Sequence, residues 1–147
     1  MEVWLSPAAG FDPVNATATI YGQGVQPLSW IAVPDVAEFV VRSLDLPEAR
    51  DATIELGGPA PIPPLEAVRI FEEVGGRPFT VQHVPVEALE RQQAEATDDM
   101  SRSFAGLMRC AAMGDPIPMA ETSRVFGIEP LSVRAYAERV LAPTPVA

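Results

Sequence analysis

The sequence predicts an α/β domain with three short strands and five helices, in the order β-α-β-α-β-α-α-α. Three observations carry this prediction. Apolar residues alternate in some short runs, they recur at helical spacing in longer ones, and most of the 16 prolines stand at the borders between such segments. The chain has 147 residues, 48% of them apolar, which is enough for one core. We therefore predict that residues 1–147 form a single domain.

Three short segments have the character of strands. Residues 26–33 carry large apolar side chains between a glycine turn and a proline, and residues 52–56 end at a Gly-Gly-Pro turn. Residues 78–84 alternate in the manner of a third strand. Residues 16–21 fit either the end of a strand or a short helical turn, and the sequence does not decide between them.

Five segments place apolar residues three and four positions apart, as an amphipathic helix does. Asp35 is predicted to cap the first helix, because its carboxylate can accept hydrogen bonds from the free amides of the first turn, and Pro47 is predicted to end it. Ser132 is the predicted cap of the last helix. The other three helices are predicted at residues 64–74, 85–96 and 101–113, and the clearest of these has an apolar face made of Phe104, Leu107, Met108 and Ala111.

The net charge of −10 at pH 7 limits the partners that the surface can attract. Such a surface repels the phosphates of nucleic acids and of anionic membranes, so we expect neither as a partner. No apolar run approaches the ~18 residues of a membrane span, and the first residues lack the pattern of a secretion signal. We therefore expect a cytoplasmic protein.

Two residue types exclude particular chemistry. All the basic residues are arginine, so the chain has no lysine for a Schiff base, a phosphate-binding loop or a Tyr-x-x-x-Lys dehydrogenase pair. Cys110 is the only cysteine, which excludes an intramolecular disulfide. Its place on a predicted apolar helix face predicts a small buried side chain.

Three groups of short motifs follow one another along the chain. The first joins EVWLSPAAGFD at residues 2–12 to IYGQG at 20–24, the second is SWIAVPDVA at 29–37, and the third joins ELGGP at 55–59 to IFEEVGGRPF at 70–79 and HVP at 83–85. In order and spacing these motifs resemble the second half of NmrA-like proteins, a branch of the atypical short-chain dehydrogenases. The resemblance covers nearly the whole chain.

The resemblance implies a partial Rossmann-like fold in which this chain is the C-terminal, substrate-binding portion. On this resemblance, the N-terminal half of the family, which binds NAD(P) through a glycine-rich turn, is expected to be absent from the chain. NAD(P) is thus the cofactor that the resemblance implies, and none is expected for the isolated chain. In the family's full-length proteins the loop that matches residues 7–12 lies near the nicotinamide, and the helices after Gly76 cover the substrate pocket.

Neither glycine-rich turn of this chain fits a dinucleotide site. Residues 22–24 begin like the fingerprint, but Pro27 stands where the third glycine is needed, and a strand-like run follows where a helix is needed. Residues 57–59 follow a predicted strand, but Pro59 has no N–H to offer a phosphate. We interpret both segments as turns.

Four residues are candidates for a substrate pocket: Phe11, Asp12, Trp30 and His83. His83 is the only histidine and the one candidate catalytic residue, as a general base; the alternative is a structural hydrogen bond at a strand end. Phe11 and Trp30 are large apolar groups that line a pocket or pack in the core. A single histidine excludes a histidine-only metal site, and we interpret the acidic residues between positions 87 and 99 as a solvated face, so no metal is expected.

The resemblance and the missing glycine-rich turn together predict a truncated or split NmrA-like protein. It would supply the substrate-binding lobe of an oxidoreductase or redox sensor, with a small-molecule substrate and a chain carrying the Rossmann half as partners. Two alternatives stay open. One is an interaction or ligand-binding module that forms a homodimer; the other is a cofactor-free isomerase or cyclase that uses His83.

Overall fold

The computed structural model of the protein describes residues 1–142, which form a mixed α/β fold, as predicted. Three strands make one sheet: β1 (Phe11–Asp12), β2 (Thr17–Tyr21) and β3 (Thr80–Val84). The described residues also form six α-helices: α1 (Val33–Ser43), α2 (Pro64–Gly75), α3 (Val86–Glu95), α4 (Asp99–Met113), α5 (Ala120–Phe126) and α6 (Val133–Leu141). Single 3-10 turns cover Pro7–Ala9 and Pro47–Ala49. Within residues 1–142, no helix has the length and apolar character that crossing a membrane requires.

Strand β2 is the centre of the sheet. It pairs antiparallel with β1 and parallel with β3, the second ladder running from Thr17 opposite Thr80 to Tyr21 opposite Val84. The carboxyl ends of two parallel strands meet at one edge of a sheet, so the loops after Tyr21 and Val84 lie side by side. The segment left undecided at residues 16–21 is therefore a strand, and the strand predicted at 78–84 is confirmed.

The element order differs from the prediction because the strands predicted at residues 26–33 and 52–56 are absent. The first segment has one bridging position, Leu28, whose backbone exchanges hydrogen bonds with Ile62. On one side this ladder cannot continue, because Pro64, which would exchange the next hydrogen bonds with Gln26, has no N–H. Residues 52–56 pair with no other strand in the described part of the chain.

All five predicted helices are present, and α5 is an additional one. It has only seven residues, from Ala120 to Phe126, and ends at Gly127, whose φ of 63° is left-handed. Two turns of helix are too short for the apolar periodicity to identify. The predicted stop of α2 at the glycine pair is confirmed, since Gly76 is the left-handed residue that follows it.

The predicted cap at Asp35 is wrong. Helix α1 begins at Val33, two residues earlier, because Pro34 suits the first turn of a helix. The Asp35 carboxylate instead accepts a hydrogen bond from the backbone N–H of Leu131 at 2.8 Å, which ties α1 to the loop before α6. The cap at Ser132 is confirmed, because its hydroxyl oxygen accepts from the N–H of Ala135 at 3.1 Å.

The apolar side chains form two buried clusters. The larger one joins the sheet to α2 and α6 and includes Phe11, Ile20, Trp30, Phe71 and Tyr136. The smaller one joins α1 to α5. Its buried members are Phe39, Met119, Phe126 and Ile128, and Ile54 and Leu56 pack against them.

Parts of the predicted apolar faces are exposed. On α4, Phe104 and Leu107 lie at the surface, whereas Ala105 and Met108 are buried. The buried stripe of this helix is thus displaced round its axis, because α4 packs against α3 and β2. Cys110 is exposed as a result, so the prediction of a buried thiol is wrong. Val40 on α1 and Leu44, the residue that follows this helix, are also exposed, because α1 directs Phe39 toward the smaller cluster.

Candidate functional site

The four candidate residues lie in three different places. Phe11 and Trp30 line one small cavity, Asp12 belongs to a turn, and His83 lines an open groove. Of the four residues predicted to share one pocket, only Phe11 and Trp30 line the same cavity.

The cavity has a volume of about 40 Å³, which is room for a few water molecules. Pockets for small organic ligands usually measure about 300–1,000 Å³, so this cavity alone cannot hold a nicotinamide or a sugar. Its lining is Trp4, Ala9, Phe11, Thr19, Ile20, Tyr21, Leu28, Trp30, Pro64 and Ala111.

Phe11 and Trp30 both make contacts that stabilise the fold, whether or not they also bind a ligand. The ring of Phe11 stacks edge to face on Phe71, with centroids 4.9 Å apart. The indole N–H of Trp30 donates to the carbonyl of Ile62 at 2.9 Å. Both residues line the cavity and also belong to the larger cluster.

Tyr21 is a polar residue of the cavity that is not among the four predicted pocket residues. Its hydroxyl lies 3.5 Å from the carbonyl oxygen of Ala9. Burial raises the pKa of Tyr21, so the group stays protonated at neutral pH and can donate. The sequence offered little indication that Tyr21 lines a cavity, because no sequence pattern places residue 21 beside the loop that precedes β1.

Asp12 organises the turn between β1 and β2. Its carboxylate accepts from the backbone N–H of Asn15 at 3.0 Å, from the Asn15 side chain at 2.7 Å and from the N–H of Val14 at 2.9 Å. These hydrogen bonds, those from Asn15 first, lower the pKa of Asp12. The carboxylate is thus engaged with its own turn.

The groove at His83 has a more suitable size and position for a ligand. It measures about 470 Å³ and is lined by Gly22, Gln23, His83, Pro85, Val86 and Glu87. These residues follow the carboxyl ends of the parallel strands β2 and β3, or lie close to them. Ligands of open α/β sheets characteristically bind beyond the carboxyl ends of the strands. We call this feature the His83 groove.

The backbone fixes which ring nitrogen of His83 faces the groove's solvent. Nδ1 lies 3.0 Å from the carbonyl oxygen of Gly22. A carbonyl oxygen only accepts, so Nδ1 must carry the proton, and the neutral ring keeps its lone pair on Nε2. Because the side chain is exposed, Nε2 can accept a hydrogen bond or a proton from a bound molecule.

This arrangement predicts a measurable tautomer. In the folded protein at a pH where His83 is neutral, ¹⁵N chemical shifts of the ring should show the proton on Nδ1. The same chain unfolded in urea is the control, since the ring then has no carbonyl partner. A folded protein with its proton on Nε2 would contradict the assigned role of the Gly22 carbonyl.

The described residues hold no group of three or more histidine, cysteine or acidic side chains arranged to bind a metal ion. Two of the acidic residues near α4, Asp98 and Asp99, have local partners instead. Asp98, for example, caps α4 by accepting from the N–H of Ser101 at 2.8 Å, which lowers the pKa of Asp98.

Comparison with known proteins gives structural neighbours and no sequence family. No family model matches the sequence, and no curated protein matches it significantly. Among solved structures, a nucleoside-diphosphate-sugar epimerase from Staphylococcus aureus superposes with a TM-score of 0.64 at 18% identity, over 84% of this chain and 43% of that one. An NADPH-dependent quinone oxidoreductase from Escherichia coli superposes with a TM-score of 0.69 at 14% identity, over 94% of this chain and 50% of the other. The chain thus has the fold of about half of each of these two proteins, and the expected partial Rossmann-like fold is confirmed.

Proposed function

We propose that this chain is the substrate-binding lobe of an NmrA-like, NAD(P)-dependent oxidoreductase or redox sensor, and that a second half supplies the cofactor site. One observation carries the proposal. The match to the two solved structures spans 84% and 94% of this chain but only 43% and 50% of theirs. On this proposal, a dinucleotide-binding half remains to be supplied.

The hydrogen bonds made by two glycine amides support the proposal that the cofactor site lies in another half. The N–H of Gly22 donates to the carbonyl of Val84 at 2.8 Å, and the N–H of Gly57 donates to the sulfur of Met119 at 3.1 Å. A phosphate-binding turn needs such amides free and directed at the ligand, at the start of a helix. Here they stabilise the contacts between the turns and their neighbours.

The substrate side of the proposal rests on the His83 groove. The Nε2 lone pair of His83 suits a ligand that presents a hydroxyl or amine donor, and Glu87 adds a carboxylate to the same groove. In a complete protein, these groups would orient a small molecule or accept a proton from it. The redox chemistry itself would come from the NAD(P) held by the other half.

A cofactor titration tests the proposal. Isothermal titration of the isolated chain with NADPH and with NADH should give no binding tighter than about 1 mM, because the amides of Gly22 and Gly57 are already hydrogen-bonded within the described residues. The intact Escherichia coli quinone oxidoreductase, measured in the same way, is the positive control for NADPH. Micromolar binding to the isolated chain would contradict the proposal that the cofactor site lies outside these residues.

A further inference from the structure

We propose that the His83 groove selects a ligand with a primary ammonium group, which donates to Nε2 of His83 and to the carboxylate of Glu87. The inference rests on the proposed function, because it takes the same groove as the ligand site and adds the charge and hydrogen-bonding character of the ligand. Three properties of the lining side chains carry it: their hydrogen bonds, their charge and the elements that hold them.

The polar side chains of the groove offer more acceptors than donors. Nδ1 of His83 lies 3.0 Å from the carbonyl oxygen of Gly22, so the neutral ring keeps a free lone pair on Nε2. The ionised Glu87 carboxylate only accepts, and Gln23, the third polar side chain, can accept as well as donate. A ligand that satisfies His83 and Glu87 together must therefore bring two donors. A single ammonium group provides them, whereas a single hydroxyl does not.

The charge of the groove favours a cation. Among the described residues, Glu87 is its one acidic lining residue and no arginine lines it. Within residues 1–142 Glu87 forms no ion pair, not even with Arg91 one turn along α3, whereas Glu121 is paired with Arg124. Glu87 stands in the first turn of α3, where the helix end carries about half a positive charge, less than the full negative charge of the carboxylate. Since the net charge of the chain is −10, the groove attracts a cation and repels an anion.

The fold holds the two acceptors on regular elements. His83 belongs to β3, whose ladder with β2 ends one residue later, and Glu87 belongs to the first turn of α3. The N–H of Gly22 donates to the carbonyl of Val84 at 2.8 Å, which holds the two strand ends together. Groups positioned in this way lose little conformational freedom when a ligand binds.

The remaining lining residues indicate the rest of the ligand. Pro85 and Val86 provide apolar surface in the same groove. The groove measures about 470 Å³, within the range of about 300–1,000 Å³ that is usual for small organic ligands. We therefore expect an ammonium group joined to a hydrocarbon part.

Benzylamine tests the choice of ligand. At about pH 7.5, where alkylamines are protonated, an NMR titration of the whole chain should shift the Gln23 and Glu87 backbone amides with a dissociation constant of about 1 mM. Benzyl alcohol has one donor and no charge, and benzyltrimethylammonium has the charge and no donor. Each should bind at least about tenfold more weakly, because each lacks part of the interaction with Glu87. In the benzylamine complex, the ¹⁵N shift of Nε2 in His83 should move while the proton stays on Nδ1.

Two exposed acids on α3 make a matched pair of variants. Glu87→Gln removes the charge inside the groove and should raise the dissociation constant of benzylamine about tenfold. Glu90→Gln makes the same change of net charge outside the groove and should change this constant by less than about twofold. His83→Phe keeps a ring but removes the lone pair, and should weaken binding about fivefold.

The inference is overturned if benzylamine shifts neither amide, if benzyl alcohol binds as tightly, or if Glu90→Gln weakens binding as much as Glu87→Gln. The last result would mean that the net charge of the chain attracts the amine without a site. No dinucleotide takes part, so failure here leaves the result of the cofactor titration standing. Micromolar NADPH binding, in turn, would refute the proposed function without changing the outcome for benzylamine.

Discussion

Phe71→Ala should lower the free energy of unfolding by about 3–5 kcal/mol. Phe71 is fully buried, and its ring contacts Phe11, Phe79 and Tyr136 with centroids 4.9 to 6.5 Å away. The truncation would remove the group that joins α2 to β1 and α6. A loss of this size is a large fraction of the total stability of about 5–15 kcal/mol that domains possess.

Urea unfolding monitored by circular dichroism measures this loss. Val40→Ala is the matched control, because Val40 is apolar and helical but 56% exposed. Its effect should stay within about 0.5 kcal/mol. If Phe71→Ala costs less than about 1 kcal/mol, the larger cluster does not hold the fold together in the way described.

Gly58→Ala should be nearly as damaging, although it adds a single methyl group. A Cβ at position 58 would lie 2.0 Å from the carbonyl oxygen of Trp30, and backbone atoms on both sides would have to move. We expect a loss of about 3 kcal/mol, at the upper end of the usual cost of overpacking. A protein that fails to fold would agree with the same cause.

Gly76→Ala is the control for the backbone effect of replacing a glycine. Gly76 has a φ of 64°, and an added Cβ would meet nothing within 4 Å. The expected loss is about 1 kcal/mol, from left-handed strain alone. Thermal unfolding of both variants compares the two costs, and equal values would show that the Trp30 contact is not close enough to matter.

The sequence predicted the helices well because each carries its own periodicity and its own borders. The stop at Gly76 and the cap at Ser132 are local features, and both are confirmed. The strands were harder to predict than the helices, because a strand needs a pairing partner that the local sequence pattern does not reveal. Residues 52–56 have the pattern of a strand and no partner within the described residues, while the two residues of β1 have a partner but almost no pattern.

The predicted pocket residues lie in separate places for a similar reason. Phe11 and Trp30 share a cavity, as large apolar residues near strand ends often do, but His83 lies in a separate groove with Gln23 and Glu87. Glu87 was interpreted only as part of a solvated face. Its place in the groove follows from the parallel pairing of β2 with β3, which no local motif encodes.

That parallel pairing also determines when the fold can form. The partners in the ladder, such as Thr17 and Thr80, are about sixty residues apart in the chain. On the ribosome, β2 is made well before the strand that completes it, and closing so long a loop is slow compared with forming the helices between them. We therefore expect α1 and α2 to form transiently before they pack, and the larger cluster to pack only after β3 has emerged from the ribosome.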